Sequence, residues 1–269
     1  MSHCIALGGI ALHAGVPSSV VLGACQGPTV IEQNNARATL DQLRVLRADR
    51  GVQVTDPSGA VAIDLIEHLA AAIGALQLCR GLRVRCYGPE IPLLDGGSLS
   101  WAIALRSLEL QRFSFAQRVI RAGRVTMGDS IYEFSPSDSV FLQVNVEFDH
   151  PLIAERSACW HGDPDDFMSR IAPARTFGFV EEEQELRAAA RARGANARDV
   201  VVLRRNGSTL SHPPPQPDEC ARHKLLDLIG DLTLAGGLSR GQLRVSRPGH
   251  LATHRALRTA QEQGIIGPG

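Results

Sequence analysis

The pattern of apolar and polar residues predicts paired strands at the start of the chain, followed by two helices with a strand between them. Residues 5–21 mix short apolar runs with glycines and a proline, which is typical of strands joined by tight turns. Residues 63–78 carry apolar side chains at helical spacing, and the helix they predict bears Glu67 and His68 near its start. We expect a strand at 82–86 and a second helix at 99–110.

The rest of the chain repeats this order of strands, a histidine-bearing helix and a further strand. The predicted elements are strands at 119–125, 131–134 and 140–148, helices at 167–171 and 181–193, a strand at 199–203, a helix at 218–231, a strand at 242–245, and a last helix from Leu251. Each histidine-bearing helix also carries an Ile-Gly pair, Ile73-Gly74 or Ile229-Gly230. This weak repeat predicts an α+β fold of two domains, residues 1–115 and 116–269, that face each other across a cleft.

The helix at 218–231 is the strongest candidate for a functional site. It follows a proline-rich run and carries acidic residues in its first turn. His223, Asp227 and Asp231 are four residues apart, so they form one column on a single helix face. An imidazole and a carboxylate one turn apart can chelate a divalent metal and leave a position open for water. A solvated helix face is the competing interpretation of this column.

Composition narrows the classes of partner. The 269 residues contain 28 Lys+Arg and 28 Asp+Glu, so no excess positive charge favours nucleic acid or an anionic membrane as a general partner. The six cysteines form no Cys-x-x-Cys pair, which argues against a disulfide scaffold or a zinc finger. No apolar run approaches membrane-spanning length, and the first residues lack the features of a signal peptide. We expect a cytoplasmic protein that binds a small molecule.

Seven short motifs, in order along nearly the whole chain, resemble one known family. That family is the zinc-dependent UDP-3-O-acyl-N-acetylglucosamine deacetylases (LpxC) of lipid A biosynthesis. The motifs are Ile10-Ala11-Leu12-His13-Ala14-Gly15, Ile66-Glu67-His68-Leu69, Pro89-Glu90-Ile91-Pro92-Leu93-Leu94-Asp95-Gly96, Phe148-Asp149-His150-Pro151, Ala174-Arg175-Thr176-Phe177-Gly178-Phe179, residues 218–231, and Gly249-His250.

The resemblance implies two domains, each a β-α-α-β sandwich, with the active site between them. It places the zinc ligands at His68, His223 and Asp227, one from the first domain and two from the second. It places the general base at Glu67, next to a ligand, where a carboxylate could take a proton from the attacking water.

The resemblance also implies residues that stabilise the charge developing during amide hydrolysis. These are Thr176, Lys224 and His250, and Asp231 would orient His250 and favour its protonated form. Phe177 matches an aromatic residue of the family's substrate site, and Lys224 also matches a substrate contact. The implied substrate is a nucleotide sugar whose N-acetyl amide is hydrolysed.

Three nearby side chains are expected to be structural. His13 and His150 lie in glycine- or proline-bounded turns, where a histidine that hydrogen-bonds the backbone is more common than a ligand. Cys220 precedes His223 by three residues, but a fourth protein ligand would close the metal site to water. A buried, inert thiol is therefore expected at Cys220.

Two alternatives remain open on sequence alone. Residues 181–196, where the family forms an apolar passage for the acyl chain, are rich in charge and alanine, and a charged helix is a poor wall for an alkyl chain. This segment favours a related amidohydrolase acting on another N-acyl amide without a long chain. The second alternative is a zinc-binding homologue without turnover, which the full set of ligands and base argues against.

Overall fold

The computed structural model of the chain describes residues 4–113, 117–148, 150–153 and 156–269. Residues 4–87 form a five-stranded sheet with the order β1-β2-β8-β3-β4, and a small three-stranded sheet, β5-β6-β7. The strands are β1 (Cys4–Ile10), β2 (Pro17–Pro28), β3 (Val30–Gln33), β4 (Ala36–Thr39), β5 (Arg44–Arg47), β6 (Gln53–Thr55), β7 (Ala62–Ile63) and β8 (Arg80–Tyr87).

Strand β8 shows why the larger of these sheets has one buried face. Leu82, Val84 and Cys86 are buried, whereas the intervening Arg83 and Arg85 are exposed. Side chains alternate between the two faces of a strand, so this sequence directs one face to the core and the other to solvent. Strand β8 pairs antiparallel with β2 and parallel with β3.

The later part of the chain forms a seven-stranded sheet and a parallel two-stranded sheet, β14-β15. In the larger sheet β10-β11-β16-β12-β13 form the main path, and β9 joins β16 to β17. The strands are β9 (Gln117–Val119), β10 (Gly123–Met127), β11 (Ser130–Ser135), β12 (Val140–Asn145), β13 (Ser157–Trp160), β14 (Phe177–Phe179), β15 (Val201–Leu203), β16 (Ser239–Ser246) and β17 (Ile266–Pro268).

Six α-helices accompany the sheets in the part of the chain that the structure describes. They are α1 (Glu67–Ala75), α2 (Leu99–Arg106), α3 (Pro164–Asp166), α4 (Glu183–Ala188), α5 (Glu219–Leu234) and α6 (His250–Glu262). Helix α3 runs into a π-helical turn (Phe167–Ile171), and single 3₁₀ turns occur at Leu40–Gln42 and Val180–Glu182. Within the described residues, no helix combines the length and the apolar character needed to cross a membrane.

Helices α1 and α5 pack directly on one another, and two glycines allow the close approach. All nine residues of α1 are buried. A Cβ atom added to Gly230 of α5 would overlap the backbone of Glu67 on α1, with the Glu67 carbonyl carbon only 3.0 Å away. A Cβ atom added to Gly74 of α1 would overlap the hydroxyl of Thr233 on α5. The Ile-Gly pair that repeats in the sequence therefore marks the contact between the two histidine-bearing helices.

The α+β class is confirmed, and the helix at 218–231 and the strands at 82–86, 131–134 and 242–245 fall within one residue of observed elements or inside them. The predicted start of the first helix at residue 63 is wrong. Ile63 belongs to β7, Leu65 has a positive φ of 59°, and α1 begins at Glu67. A buried strand and a buried helix both give apolar runs, so spacing alone did not separate them.

Other predicted elements are too long. The predicted strand at 119–125 is two strands. Strand β9, which pairs with β17, ends at Val119, and β10 begins at Gly123 as the first strand of the β10–β11 hairpin. The predicted helix at 181–193 ends at Ala188. Ala190 and Ala192 have positive φ angles, which are incompatible with a right-handed helix. The helix at 99–110 ends at Arg106, the strand at 140–148 ends at Asn145, and the strand at 199–203 begins at Val201.

Two predictions cannot be followed fully in the structure. The predicted boundary between residues 115 and 116 falls on residues 114–116, which lie outside the described residues, and so does Asp149 of the fourth motif. The division into domains 1–115 and 116–269 and the layering of each as a β-α-α-β sandwich stay predictions.

Candidate functional site

The side chains of His68, His223 and Asp227 converge where α1 and α5 meet. All three are buried, and one potential ligand atom from each lies within 4.8 Å of the others. The Oδ1 atom of Asp227 is 3.3 Å from Nε2 of His223 and 3.9 Å from Nε2 of His68. The two imidazole rings meet edge to face, with centroids 5.1 Å apart. This is the cluster that the sequence analysis assigned to a metal.

The hydrogen bonds of these residues fit a bound cation. Oδ1 of Asp227 is buried and has no hydrogen-bond partner among the described residues, whereas Oδ2 accepts a 2.7 Å bond from Nζ of Lys224. His223 donates through Nδ1 to the carbonyl of Ala174 at 3.0 Å, so its Nε2 is left to face the cluster. A buried carboxylate oxygen without a donor is costly unless a cation meets it. Two imidazole nitrogens and one carboxylate oxygen are a common donor set for a catalytic zinc ion.

The protonation states of His68, His223 and Asp227 also fit a bound cation. Burial lowers the pKa of His68 to about 3, with a further contribution from the neighbouring His223. Burial also lowers the pKa of His223. Burial alone would raise the pKa of Asp227, but Lys224 and the surrounding histidines hold it well below its usual range. Neutral imidazoles and an ionised carboxylate are the forms that bind a metal.

Glu67 precedes His68 on α1 and lies in the same cleft. Its Oε2 atom accepts a 2.9 Å hydrogen bond from the backbone N–H of Val52, which fixes the carboxylate against the loop that ends at β6. Burial raises the pKa of Glu67 to about 7, although His250 opposes this effect. A carboxylate whose pKa lies near neutrality can both accept and release a proton.

His250, at the start of α6, is paired with the buried carboxylate of Asp231 on α5. Its Nδ1 atom is 3.0 Å from each oxygen of Asp231, and its Nε2 atom is 3.8 Å from Oδ2 of Asp227. Burial alone would lower the pKa of His250, but Asp231 and then Asp227 raise it to about 9. The imidazole is therefore protonated near neutral pH, with Nε2 towards the metal cluster.

These residues border a cleft with a cavity volume of about 720 Å³. Every predicted site residue except Asp231 lines it, since Asp231 lies behind His250. The predicted residues in the lining are Glu67, His68, Thr176, Phe177, His223, Lys224, Asp227 and His250. The structure thus brings together side chains that are up to 183 positions apart, from Glu67 to His250.

Thr176 and Phe177 reach the cleft from the segment that enters β14. The backbone N–H of Thr176 donates to the carbonyl of Gly96, and its carbonyl accepts from Val201, so the segment is held from both sides. The ring of Phe177 lies edge-on to His223 at 6.1 Å. Nζ of Lys224 lies 5.6 Å from the same ring, a distance at which a cation–π contact is favourable.

The three side chains expected to be structural hydrogen-bond the backbone or are buried, although His13 also borders the cleft. His13 hydrogen-bonds the carbonyl of Arg50 through Nε2, and His150 hydrogen-bonds the carbonyl of Arg204. Cys220 is buried, and burial raises the pKa of its thiol to about 12. None of the three belongs to the group of His68, His223 and Asp227, the candidate metal ligands found among the described residues.

One histidine of this site, His254, was not predicted from the sequence. His254 lies one turn after His250 on α6, and its Nε2 atom is 3.1 Å from Oδ1 of Asp231. The only signal for it in the sequence is its spacing of four from His250, which places both side chains on one helix face. The backbone partners of the site, Ala174 and Val52, were not predicted either, because no pattern of side chains marks a backbone hydrogen bond.

The chain is similar to known proteins along most of its length. The family model described as LpxC, UDP-3-O-acyl N-acetylglycosamine deacetylase, matches residues 1–261. The chain belongs to the LpxC family. The LpxC match covers both histidine-bearing helices and His250, so the whole candidate site lies within it.

Curated LpxC relatives extend over nearly the same length. Proteins called UDP-3-O-acyl-N-acetylglucosamine deacetylase from Brucella melitensis biotype 2 and from Brucella ovis are each 31% identical to the chain over 266 residues. Each comparison covers 96% of the chain and 93% of the relative. The similarity is therefore to whole LpxC proteins.

Proposed function

We propose that the chain is a zinc-dependent deacetylase that hydrolyses the N-acetyl amide of UDP-3-O-acyl-N-acetylglucosamine in lipid A biosynthesis. The observation that carries this proposal is Oδ1 of Asp227, which has no hydrogen-bond donor in the part of the chain that the structure describes. It faces two neutral imidazoles beside Glu67 in the cleft of an LpxC-family chain. Water activation next to a metal site is the chemistry that such a group of residues serves.

His68, His223 and Asp227 would hold the zinc ion. When bound, zinc supplies Lewis-acid activation of water and of the amide carbonyl. Lys224 keeps Oδ2 of Asp227 occupied through its 2.7 Å bond, so Oδ1 is the oxygen left for the metal. The carbonyl of Ala174 fixes the His223 ring through Nδ1, which selects Nε2 as its ligand atom.

Glu67 is proposed as the general base. Its backbone partner, the N–H of Val52, holds one carboxylate oxygen and leaves the other towards the cleft. A pKa raised to about 7 by burial allows Glu67 to take a proton from water at neutral pH and give it up later in the cycle.

His250 is proposed to donate a proton to the departing amine, and Lys224 and Thr176 to stabilise the developing oxyanion. The pKa of about 9 keeps His250 protonated in the resting state, and Asp231 fixes its Nδ1–H so that Nε2 carries the transferable proton. Lys224 and Thr176 both line the cleft beside His223. Positive and hydrogen-bonding groups at the reacting carbonyl act on the charge that appears in the transition state.

The lining of the cleft supports a substrate with an apolar substituent. Residues 181–196 are charged in sequence, but Leu186, Ala192 and Ala195 are the members that face the cleft together with Glu182. Arg187 is instead exposed and paired with Glu183 on the outer side of α4. Leu12, Leu65 and Val200 form a small apolar cluster at the same cleft. An acyl chain could bury apolar surface there, which weakens the alternative of a substrate without one.

The remaining parts of the proposal concern context. We expect a small-molecule partner, a nucleotide sugar with an N-acyl amide, and a cytoplasmic location. We also propose that residues 1–115 and 116–269 act as the two domains, since α1 and α5 bring one part of the site each.

The test is hydrolysis of UDP-N-acetylglucosamine with and without a 3-O-acyl chain by the purified protein, followed as acetate release. We expect the acylated nucleotide sugar to react faster. Equal rates on the two compounds would remove the lipid A assignment and favour a related amidohydrolase. A zinc-loaded protein that hydrolyses neither compound nor any other N-acetyl sugar would be a binding homologue.

A further inference from the structure

The carboxylate of Asp231 holds two imidazoles, and the proposed mechanism uses only one of them. His250 contacts both carboxylate oxygens at 3.0 Å through Nδ1, and His254 contacts Oδ1 at 3.1 Å through Nε2. Asp231 is 1% exposed. Among the described residues, these histidines are the side chains that hydrogen-bond it.

The two contacts constrain the carboxylate in different ways. Because His250 Nδ1 is equally far from both oxygens, its N–H points between them and leaves the rotation of the carboxylate weakly defined. His254 reaches only Oδ1, so it selects one orientation of the carboxylate plane. The orientation of Asp231 in turn sets the direction of the His250 ring, whose Nε2 faces the metal cluster.

His254 does not touch the place where a substrate would bind. Leu251, Ala252 and Arg255 line the cleft, whereas His254 is absent from its lining and lies behind Asp231. Its side chain is 12% exposed. A group in this position can act only through Asp231 and His250.

The helix that carries His254 has its own anchor. Thr253 is 1% exposed and its hydroxyl is 3.0 Å from the hydroxyl of Tyr132 on β11, within a fully buried contact. Ala256, Leu257 and Ala260 are buried on the same helix. Loss of the His254 imidazole should therefore leave α6 in place, which separates an effect on chemistry from an effect on folding.

We propose that His254 is a positioning residue for the deacetylation: it fixes the Asp231 carboxylate and, through it, the proton-donating His250. The inference rests on the proposed function for its kinetic test. It predicts that the transition state, in which the His250 proton must meet the departing nitrogen, is affected more than substrate binding is.

The kinetic experiment compares His254→Leu, which removes the hydrogen bond, with His254→Gln, which keeps a donor of similar reach. Loss of an outer partner of a metal-site residue typically costs about 10-fold to 100-fold in activity, and we expect that loss in kcat for His254→Leu. KM should stay within about two-fold of the wild type, because His254 does not line the cleft. His254→Gln should recover most of the lost kcat.

Arg258→Gln is the matched control, since Arg258 is exposed on the same helix and pairs with Glu262. It should leave kcat and KM unchanged. An unchanged kcat in a folded His254→Leu protein overturns the inference, as does a His254→Gln protein that is as slow as His254→Leu. If His254→Leu does not fold, His254→Asn, whose amide is too short to reach Oδ1, takes its place against His254→Gln.

A second readout does not need turnover. In a proton NMR spectrum, the Nδ1–H of His250 should give a low-field signal that exchanges slowly with water in the wild type and in His254→Gln. The same signal should exchange faster in His254→Leu. Equal exchange in all three proteins contradicts the inference even if no substrate is hydrolysed, whereas an inactive wild type with the expected exchange pattern contradicts only the proposed function.

Discussion

Substituting alanine for Gly230 should damage the active site more than it damages the fold. Gly230 lies on α5 where the helix touches the backbone of Glu67. Helix propensity alone predicts that alanine stabilises a helix interior by about 1 kcal/mol over glycine. The packing against Glu67 opposes this gain. The sign of the change in unfolding free energy therefore shows which of the two effects is larger.

The size of the effect follows from the contact. An alanine Cβ at position 230 would lie 3.0 Å from the carbonyl carbon of Glu67 and 3.2 Å from its Cα, with the carbonyl oxygen closer still. These are backbone atoms, so no rotamer change relieves the overlap and the helices must separate. Overpacking of this kind costs about 1–3 kcal/mol, so a net loss of up to about 2 kcal/mol remains after the propensity gain.

Separation of α1 and α5 moves Glu67 and His68 away from His223 and Asp227. A displacement on the order of 1 Å between reacting groups lowers activity about 100-fold. We therefore expect Gly230→Ala to lose about two orders of magnitude in kcat/KM and part of its zinc affinity, with only a modest fall in melting temperature.

The measurements are kcat/KM, zinc content and thermal unfolding on the same protein. Gly8→Ala is the control, since an added Cβ at Gly8 of β1 would find its nearest neighbours at an ordinary 3.7 Å. It should behave as the wild type. A Gly230→Ala protein that is more stable than the wild type and fully active would refute the tight helix contact.

Two further predictions concern charges around the site. Glu219 accepts hydrogen bonds from the backbone N–H and the guanidinium of Arg175, and both residues are buried. Glu219→Ala would leave the Arg175 guanidinium buried without its counter-ion. We expect the unfolding free energy at pH 7, measured by urea denaturation, to fall by about 3–5 kcal/mol. An unfolding curve that matches the wild type would contradict this. The Asp231 carboxylate raises the pKa of His250, so in Asp231→Asn the pKa of His250 should fall and the alkaline limb of the kcat/KM profile should move to lower pH. A limb that stays in place or moves to higher pH would show that Asp231 does not set this ionisation.

The spacing of apolar residues could predict those strands and helices that are buried on one face only. Strand β8 was predictable because Leu82, Val84 and Cys86 alternate with arginines. The start of α1 was not, because the residues before Glu67 are as apolar in β7 as in a helix. The end of α4 depends on positive φ angles at Ala190 and Ala192, and an alanine in the sequence does not predict such a conformation.

The candidate site was predictable to a different degree at each residue. The spacing of His223 and Asp227 indicated a metal-binding column from the sequence alone, whereas the pairing with Glu67 and His68 came from the family resemblance. The Ile-Gly repeat was only a weak sign of similarity between the two parts of the chain, yet Gly74 and Gly230 are points of close contact that bring these residues together. The spacing of four from His250 was a weak signal for His254, because the role of this side chain depends on its contact with Asp231 in the folded chain.

The proposed separation of roles has a direct test in zinc content and acetate release measured on the same preparations of wild type, Glu67→Gln and Asp227→Asn. We predict about one zinc ion per chain in the wild type and in Glu67→Gln, with hydrolysis by Glu67→Gln slower by about 100-fold or more. Asp227→Asn should lose most of its zinc, because Oδ1 of Asp227 is the proposed charged ligand atom. Full zinc in Asp227→Asn, or wild-type hydrolysis by Glu67→Gln, would contradict a metal site built from α1 and α5 with Glu67 as its base.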